Sequence, residues 1–596
     1  MRFRESAGLV LASCVVFAVA CSEDEDPVEP QPDPPSVTGV SATAVAPGDT
    51  LVVRGANFTS PPSGNQVRFT NSLGVSNAFA GSEDSLEVVV DQDATSGAIT
   101  VTNPNGSDTG PIVTVTRGIG DFFVFGGLGA SNVLSLPSPT ATTRYLIIPH
   151  GTNSSANFSN DYGYSIASSN TAAASAQQRG PTRRAAATHM GIREAFDAFR
   201  WEQARELAER LGPPARTATP SGAPAESEAP PYLPFNVYSD LSGSTSDPAS
   251  YDQVIADLRY TGTKCLVYAD VDTSLNPANN FDQIHFDQLG QAFDNSIEAT
   301  NVSYFGGYSD VDGNGKVIIL ITPVVNRLTP GGSGGFIAGF FLSVDLYSPP
   351  QVPTGTSNQA EIFYLIAADP EAEFNPGIPP FPIDFAAEEN ISTTAHEHEH
   401  MISISHRIFN EGGVTQETWL EEGMAHMAED LNGLHDANMG RADIYLQDPG
   451  AISLEHSTAP LNQRGGIYLF LRLLADRYGE DVLRDIVQSR CTGRACIQNV
   501  TGRNFYDLFA EFLAALYLSG KGITADPRFN FTSIDLADYG TVATFPGLVG
   551  VESVGEVRRS SGDLHLFDGS VDLDTDFTFT ELNPGVRLRN AVVQVQ

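Results

Sequence analysis

Residues 393–400 read Thr-Thr-Ala-His-Glu-His-Glu-His, and residues 418–425 read Thr-Trp-Leu-Glu-Glu-Gly-Met-Ala. The first stretch contains the pattern H-E-x-x-H, with His396 and His400 four residues apart. In an α-helix this spacing places both imidazoles on one face, where they can share one zinc ion at about 2.1 Å each. Glu397 lies beside His396 and can act as general base for an attacking water. The sequence therefore predicts a catalytic Zn²⁺ site.

The surroundings of the motif also fit a metal-binding helix. Five of the eleven histidines of the chain fall between His396 and His426. Residues 391–394 can supply the N-cap of the helix. His398 points about 160° away from the direction shared by the two spaced histidines. We therefore predict that His398 and Glu399 take no part in metal binding.

The third protein ligand can be chosen in three ways. Glu422 is the favoured ligand, on a second helix that begins near residue 418. His406 stands six residues after His400, which is the metzincin spacing, but that pattern needs a glycine where this chain has Ser403. Glu421 is the remaining alternative. Each interpretation predicts a different substitution, at Glu422, His406 or Glu421, that abolishes zinc binding.

The second helix carries a polar stripe that needs an explanation. Glu422, His426 and Glu429 are spaced i, i+4, i+7, so they share one face. Burying such a stripe without partners is costly, and a metal with the groups that orient its ligands would supply the partners.

Together, H-E-x-x-H and the later run W-L-x-E-G-x-A resemble the gluzincin peptidases, and most of all the hyicolysin-type bacterial secreted and lipoprotein peptidases. The blocks 305–316, 357–364 and 465–471 resemble the same family, so the similarity spans roughly residues 232–520. The resemblance implies a zincin-like α+β domain that cleaves protein or peptide substrates. Its implied site residues are His396, His400 and Glu422 as zinc ligands, Glu397 as general base and Glu429 as a carboxylate that supports a ligand.

The chain departs from related aminopeptidases in two respects. Residues 461–464 lack the tyrosine that would stabilise the negative charge formed during the reaction, which leaves Tyr468, His426 and His456 as candidates. The chain also lacks a G-x-M-x-N block for the free amino terminus of a substrate, which favours an endopeptidase. The glycine-rich run 331–339 is predicted to lead into an edge strand that pairs with an extended substrate, with a surface loop as the alternative.

Length and charge set the wider frame. A chain of 596 residues is too long for one core, so several domains are expected. The formal net charge of −39 argues against nucleic-acid binding, because phosphates would be repelled.

The N-terminus predicts export. A basic start and an apolar stretch end at Cys21, in a context that resembles a bacterial lipoprotein cleavage site. Residues 1–21 are therefore predicted to be a signal peptide, with Cys21 as the lipid anchor to a membrane and 22–35 as an acidic, proline-rich tether. An outer-membrane lipoprotein is expected; an ordinary cleaved signal and secretion are the alternative.

The rest of the chain divides by composition into a multidomain arrangement. We predict an all-β module that resembles IPT/TIG immunoglobulin-like domains, a second small β unit, a helix with a Pro/Ala-rich linker, the metallopeptidase domain with a helical C-terminal part, and a β tail. In the same order their bounds are 36–117, 118–168, 169–231, 232–540 and 541–596. Arg183-Arg184 makes a propeptide the alternative to a simple linker.

Two further features are ambiguous. Asp310, Asp312 and Asn314 alternate like the first half of a Ca²⁺ loop, but position twelve would be Ile321, so a tight turn is favoured. Cys491 and Cys496 are close enough in sequence to form a disulfide outside the cell.

The sequence as a whole predicts a zinc endopeptidase. A zincin-fold surface binding protein without catalysis is the alternative from another functional class, and a metzincin-like peptidase using His406 is the alternative within enzymes.

Overall fold

The computed structural model describes residues 32–596 apart from several internal stretches. These are positions 71, 73–74, 93, 127–130, 137–142, 153–159, 169–177, 180–190, 213–228, 273–279, 411–413, 548–551, 569–574 and 583–587. The predicted signal peptide, the proposed anchor Cys21, most of the tether and Arg183-Arg184 lie outside the described residues.

Strands dominate the N-terminal part of the chain and return at its end. They are β1 (Ser36–Val40), β2 (Ala44–Val45), β3 (Thr50–Ala56), β4 (Gln66–Thr70), β5 (Ser76–Asn77), β6 (Ala80–Gly81), β7 (Ser85–Val89), β8 (Thr95–Asn103), β9 (Gly106–Val115), β10 (Phe122–Phe125), β11 (Ser131–Leu136), β12 (Arg144–Gly151), β13 (Tyr162–Ser168), β14 (Gln178–Arg179), β15 (Tyr232–Tyr238), β16 (Tyr251–Thr261), β17 (Cys265–Asp270), β18 (Val317–Ile321), β19 (Gly339–Phe341), β20 (Ile362–Leu365), β21 (Phe545–Gly547), β22 (Ser553–Val557), β23 (His565–Asp568), β24 (Thr575–Glu581) and β25 (Leu588–Gln594).

Helices dominate the later part of the chain. They are α1 (Ile192–Leu211), α2 (Gln283–Ala292), α3 (Glu298–Phe305), α4 (Pro323–Arg327), α5 (Ile383–Ile404), α6 (Thr418–Leu431), α7 (Asp436–Leu446), α8 (Leu461–Tyr478), α9 (Asp481–Gln488), α10 (Gly493–Thr501) and α11 (Phe505–Leu518). No helix within the described ranges is long and apolar enough to cross a membrane.

The first β-rich unit is a sandwich of two sheets, ordered β1-β3-β7-β6 and β2-β9-β8-β4-β5. Leu51 and Val53 alternate with exposed neighbours on β3, and Val67 and Val101 from the other sheet join the same core. This alternation is what one buried face per sheet requires.

A second sandwich joins distant parts of the chain. Its sheets are ordered β10-β25-β12-β23-β21 and β11-β24-β13-β22-β14. The register pairs Tyr145 with Gln594 and Tyr164 with Glu581. The stretches 118–168 and 541–596 therefore contribute strands to the same two sheets.

The central sheet has six strands in the order β15-β16-β17-β18-β20-β19. The inner strands β17, β18 and β20 are parallel and buried along their whole length, as expected for strands covered on both faces. The short strand β19 forms one edge and runs antiparallel to β20. Helix α5 packs against both β19 and β20, while α6 and α8 continue the layer on its far side.

Helix α5 begins earlier than the sequence predicts. Its first residue is Ile383, with Asp384 in the first turn, so residues 391–394 lie inside the helix and not at an N-cap. The Thr394 hydroxyl instead donates a hydrogen bond of 2.7 Å to the carbonyl oxygen of Asn390, within the helix. This earlier start places H-E-x-x-H in the C-terminal half of the helix, which is buried from Thr393 to Ile404.

Candidate metal centre

Helices α5 and α6 bring His396, His400 and Glu422 together. One possible ligand atom from each of these side chains lies within 4.8 Å of the others, and all three side chains are completely buried. The Nε2 atom of His396 is 3.5 Å from one oxygen of Glu422, and the Nε2 atom of His400 is 3.7 Å from the other. Two imidazole nitrogens and one carboxylate oxygen form the ligand set of many catalytic zinc sites.

The unsatisfied atoms of the two histidines suit a metal ion. Both Nε2 atoms are buried and have no hydrogen-bond partner among the described residues. An unpaired buried polar atom is costly, so a site with two of them facing the same carboxylate has a physical need for a cation. These residues therefore fit Zn²⁺.

Carboxylates lie behind both histidines, on the side of their Nδ1 atoms. The Nδ1 atom of His396 is 2.7 Å from Glu429, which also contacts Nδ1 of His426 at 3.2 Å. The Nδ1 atom of His400 lies 3.3 Å from Glu399 and 3.9 Å from Glu421. A carboxylate hydrogen-bonded at Nδ1, as at His396, favours the tautomer that leaves Nε2 free to bind a metal. The Nδ1 atom of His400 makes no hydrogen bond within the described residues.

The carboxyl groups around the two histidines differ in the direction of their pKa shifts. Burial opposes ionisation of Glu422, but Arg464, His396 and His400 outweigh it and lower the pKa of Glu422 well below its usual value. The pKa of Glu429 is likewise lowered, because His426 and Arg441 outweigh its burial. Burial and neighbouring carboxylates instead raise the pKa of Glu399 well above its ordinary value. The ionised groups are thus the two that face His396.

Glu397 points toward the edge strand β19. Its Oε2 atom accepts a hydrogen bond of 3.0 Å from the backbone N–H of Phe341. Gly339 makes this approach possible, because a Cβ there would lie 2.6 Å from the Tyr364 carbonyl oxygen and 2.8 Å from the Thr393 side chain. The predicted general base is therefore next to the edge of the central sheet.

Helix α1 closes the site from the other side. Arg200 donates a hydrogen bond of 2.7 Å from Nη1 to Glu397, and its Nη2 atom lies 3.5 Å from Glu422. Trp201 donates from Nε1 to Glu422 at 2.8 Å. Asp197 joins this network through Arg200 at 2.9 Å.

Arg464 of α8 supports the proposed third ligand from behind. Its Nη1 atom donates to Glu422 at 2.7 Å, and its Nη2 atom donates to Asp197 at 2.6 Å. Gly423 lets α6 and α8 come this close, since a Cβ there would lie 2.5 Å from a carbon of Ile467.

The other residues predicted for the site are placed as follows. His426 meets His396 edge to face, with ring centroids 4.9 Å apart, and its burial lowers its pKa to about 3. The hydroxyl of Tyr468 instead contacts Asp430 and Tyr539. His456 contacts Thr458, two residues later in the chain. Of the three candidates for stabilising negative charge, His426 is the one that the structure places against a predicted metal ligand.

His406, the alternative third ligand, lies in a π-helical turn, Ser405–Asn410, that follows α5. Its Nε2 atom is 3.3 Å from the carbonyl oxygen of Gln488. Neither this residue nor Glu421 belongs to the group formed by His396, His400 and Glu422.

His398 faces away from this group, into an aromatic cluster. Its ring packs against those of Phe293, Tyr308 and Phe363, at centroid distances of 5.1, 4.8 and 6.1 Å. Burial lowers the pKa of His398 to about 3, so its imidazole is neutral.

The loop considered for calcium is built as a turn. Asp310 accepts a hydrogen bond from the Gly315 N–H, and Asp312 accepts one from the Asn314 N–H. Asp310 and Asp312 lie near Glu361, but Glu361 is already bonded to Ser309 and to the Val311 N–H. These contacts account for the acidic side chains, so the structure gives no support for Ca²⁺.

Cys491 and Cys496 are free thiols in the structure, contrary to the disulfide considered from their spacing. Their sulfur atoms lie 3.0 and 3.1 Å from the same hydroxyl, that of Ser489. Both thiols therefore contact the Ser489 hydroxyl and are not joined to each other.

Comparison with known proteins gives one relevant sequence relative. The chain is 27% identical over 259 residues to the neutral metalloprotease ShpI of Staphylococcus hyicus. The matched region covers 42% of this chain and 54% of that protein. The chain thus spans about half the length of this relative. The similarity supports a relationship to metallopeptidases. No family model matches the chain.

The structural comparisons show only partial likeness. A protein of unknown function from Bacteroides thetaiotaomicron is 17% identical, with 23% of this chain and 30% of that one covered and a TM-score of 0.14. SGBP-B, from a xyloglucan utilization locus in Bacteroides uniformis, is 14% identical, with 23% and 51% covered and a TM-score of 0.13. Scores this low carry no argument about the fold or function of the chain.

Sequence reasoning missed the basic and aromatic residues around the site. Arg200 and Trp201 were placed in a linker helix, and Arg464 was considered only as part of a stretch without tyrosine. One signal was available on α1, where Asp197, Arg200 and Trp201 share a face with apolar residues at helical spacing. Charged residues within an apolar stripe point to a buried partner of opposite charge.

Proposed function

We propose that the protein is a zinc-dependent endopeptidase that hydrolyses peptide bonds in protein substrates. The observation that carries this proposal is the convergence of His396, His400 and Glu422, with two unpartnered Nε2 atoms and Glu397 alongside. The partial similarity to a neutral metalloprotease supports the same class of activity. His396, His400 and Glu422 would hold the metal.

The chain's own residues would divide the chemistry between them. Zn²⁺ in such a site supplies Lewis acidity, which makes water a nucleophile near neutral pH and polarises a carbonyl. Glu397 would take the proton of the attacking water and deliver it to the leaving amine. His426 lies beside His396, but its Nδ1 atom is 3.2 Å from Glu429, so the single proton of its neutral ring would sit on Nδ1 and we propose no donor role for it toward the substrate oxygen.

The edge strand β19 is the proposed docking strand for the substrate. It follows the glycine-rich run 331–339 and ends at Phe341, whose N–H already contacts Glu397. An extended peptide that adds to this edge would bring one of its peptide bonds next to the general base. Binding through backbone atoms in mid-chain is what an endopeptidase requires.

The location of the enzyme is proposed from the N-terminal sequence. Cleavage before Cys21 and lipidation of that cysteine would anchor the chain to the outer membrane, with residues 22–35 as tether and the Ig-like module 36–117 as spacer. Release as a secreted protein is the alternative.

The function is tested by measuring zinc content and hydrolysis of an unfolded protein on one set of chains. Residues 22–596 are compared with Glu397→Gln, with Arg200→Ala, because Arg200 holds Glu397, and with the double variant. We expect about one zinc per chain in all four, and hydrolysis that is present in Arg200→Ala and disappears when Glu397→Gln is added to it. A folded chain that binds no zinc would refute the proposal. Zinc binding without hydrolysis in any form would favour a binding protein on a peptidase fold.

A further inference from the structure

Helix α1 is bound to the candidate centre by a face that is almost completely buried. Arg200 and Trp201 are each only 3% exposed, and Phe196 and Leu207 on the same face are 2% and 3% exposed. The opposite face, which includes Arg210, faces solvent. An arginine is rarely buried to this degree unless its charge is paired.

The partners of Arg200 are the acidic groups of the proposed site. Its Nη1 atom bonds Glu397 at 2.7 Å, its Nη2 atom lies 3.5 Å from Glu422, and its Nε atom bonds Asp197 at 2.9 Å. An arginine guanidinium is charged in proteins, so Arg200 places a positive charge directly against the predicted general base.

Arg200 also approaches the edge strand. Its Nη1 atom lies 3.4 Å from the carbonyl oxygen of Phe341 on β19, in hydrogen-bond geometry. This carbonyl belongs to the same backbone edge that an added substrate strand would use. Helix α1 and a substrate therefore compete for one surface.

Trp201 packs against two of the predicted metal ligands, Glu422 and His400. Its indole N–H donates to Glu422 at 2.8 Å, and its ring meets that of His400 edge to face, with centroids 4.7 Å apart. A bulky ring at van der Waals distance from two predicted ligands leaves no room for a polypeptide between them.

From these contacts we propose that α1 is an internal inhibitor that occupies the substrate cleft and must leave it before a polypeptide can be cleaved. This rests on the proposed peptidase function. A helix that merely completed the catalytic domain would not need to pair an arginine with the general base. The segment read as a linker would thus keep the enzyme latent.

The first test compares two arginines of the same helix. Arg200→Ala removes the contact with Glu397, whereas Arg205→Ala changes an arginine whose ion pair is with Glu202 of the same helix and serves as the matched control. We expect hydrolysis of an unfolded protein to rise at least about tenfold in Arg200→Ala, since a buried ion pair is lost, and to stay at the wild-type level in Arg205→Ala. Equal rates in all three chains would overturn the proposal.

A second readout follows the helix itself, independently of activity. The chain has two tryptophans, so in a Trp419→Phe background Trp201 is the single reporter. Because Trp201 is 3% exposed, acrylamide should quench it weakly in the docked state and several-fold more strongly after displacement. Ala204→Glu, on the buried face but outside the site, should expose Trp201 as Arg200→Ala does. A folded Ala204→Glu chain with Trp201 still shielded would contradict the model of a detachable helix.

A reversible lock completes the test. Gln203 of α1 accepts a hydrogen bond of 2.8 Å from Ser244, so Gln203→Cys with Ser244→Cys places two thiols that a short bis-maleimide with a cleavable disulfide can join between the helix and the body of the protein. We expect the crosslinked double variant to lose hydrolysis and a phosphine reductant, which cleaves the linker, to restore it. Full activity of the crosslinked chain would overturn the inference while leaving the peptidase function intact. Exposure of Trp201 without hydrolysis in any chain would instead refute the peptidase function, and the inhibitory role with it.

Discussion

The Nδ1 atom of His396 lies 2.7 Å from Oε1 of Glu429, which follows Glu422 by about two turns of the same helix. A carboxylate in this place orients the ring and increases the basicity of Nε2. Glu429→Gln keeps the shape but removes the charge, so we expect zinc affinity to fall by about 10- to 100-fold with the fold retained. Competition with a zinc chelator of known affinity measures the change.

The control for this variant lies on the other helix of the centre. Glu388→Gln changes an exposed glutamate of α5 and should leave zinc affinity unchanged. If both variants bind zinc like the wild type, Glu429 does not act on the metal through His396.

The choice of the third ligand makes a second prediction. Glu422 lies opposite both Nε2 atoms, whereas His406 contacts the Gln488 carbonyl. We therefore expect Glu422→Gln to lose nearly all bound zinc, and His406→Gln to retain about one zinc per chain. Metal analysis after dialysis gives the answer directly. Zinc retained in Glu422→Gln and lost in His406→Gln would establish the metzincin alternative.

The sequence predicts those parts of the metal centre that depend on residues close together in the chain. The grouping of His396 with His400 follows from helix geometry alone, and Glu422 was favoured because its helix carries a polar stripe. Arg200 and Arg464 reach the same carboxylates from remote parts of the chain, across separations that no spacing rule covers. Their positions depend on how the four helices α1, α5, α6 and α8 pack together.

The same limit applies to the fold. Alternating burial made the strands near the N-terminus recognisable, but the pairing of Tyr145 with Gln594 depends on contacts across nearly the whole chain. The helix that carries the metal motif was expected to start within residues 391–394, because serine and threonine there resemble an N-cap. The actual start at Ile383 follows Pro382 without any side-chain cap, so the usual signal is missing.

A third prediction concerns the histidine inside the motif that is expected not to bind metal. His398 is neutral, fully buried among aromatic rings, and both of its ring nitrogens lack a hydrogen-bond partner in the described part of the chain. Replacing such a group by an apolar one of similar size removes unsatisfied polar atoms but also loses ring contacts. We expect His398→Leu to keep its zinc and to change the free energy of unfolding by no more than about 1 kcal/mol.

Denaturant unfolding of the zinc-bound protein, together with metal analysis, checks this expectation. His396→Leu is the contrasting variant, because it removes a predicted ligand and should abolish zinc binding. Loss of zinc in His398→Leu would mean that the middle histidine of the motif takes part in the site.

The last prediction concerns the pH dependence of stability and rests on Asp345, in the 3₁₀ turn Ser343–Leu346. Its carboxylate is completely buried and accepts hydrogen bonds from the Asn358 N–H at 2.8 Å and the Tyr364 hydroxyl at 2.7 Å. Burial nevertheless raises the pKa of Asp345 to about 7. The folded protein therefore holds this proton more tightly than the unfolded chain does.

The direction of the effect follows from this difference in proton binding. The stability that the neutral carboxyl contributes is fully present below about pH 4 and is lost as the pH rises through about 7. Asp345→Asn keeps the shape of the group without its charge, so its stability relative to the wild type should increase by about 1 to 3 kcal/mol between pH 4.5 and pH 7.5. Urea unfolding at both pH values measures this difference. Asp252→Asn, at an exposed position of β16, should show no such change. A constant difference between Asp345→Asn and the wild type across this range would mean that Asp345 ionises in the folded protein as readily as in water.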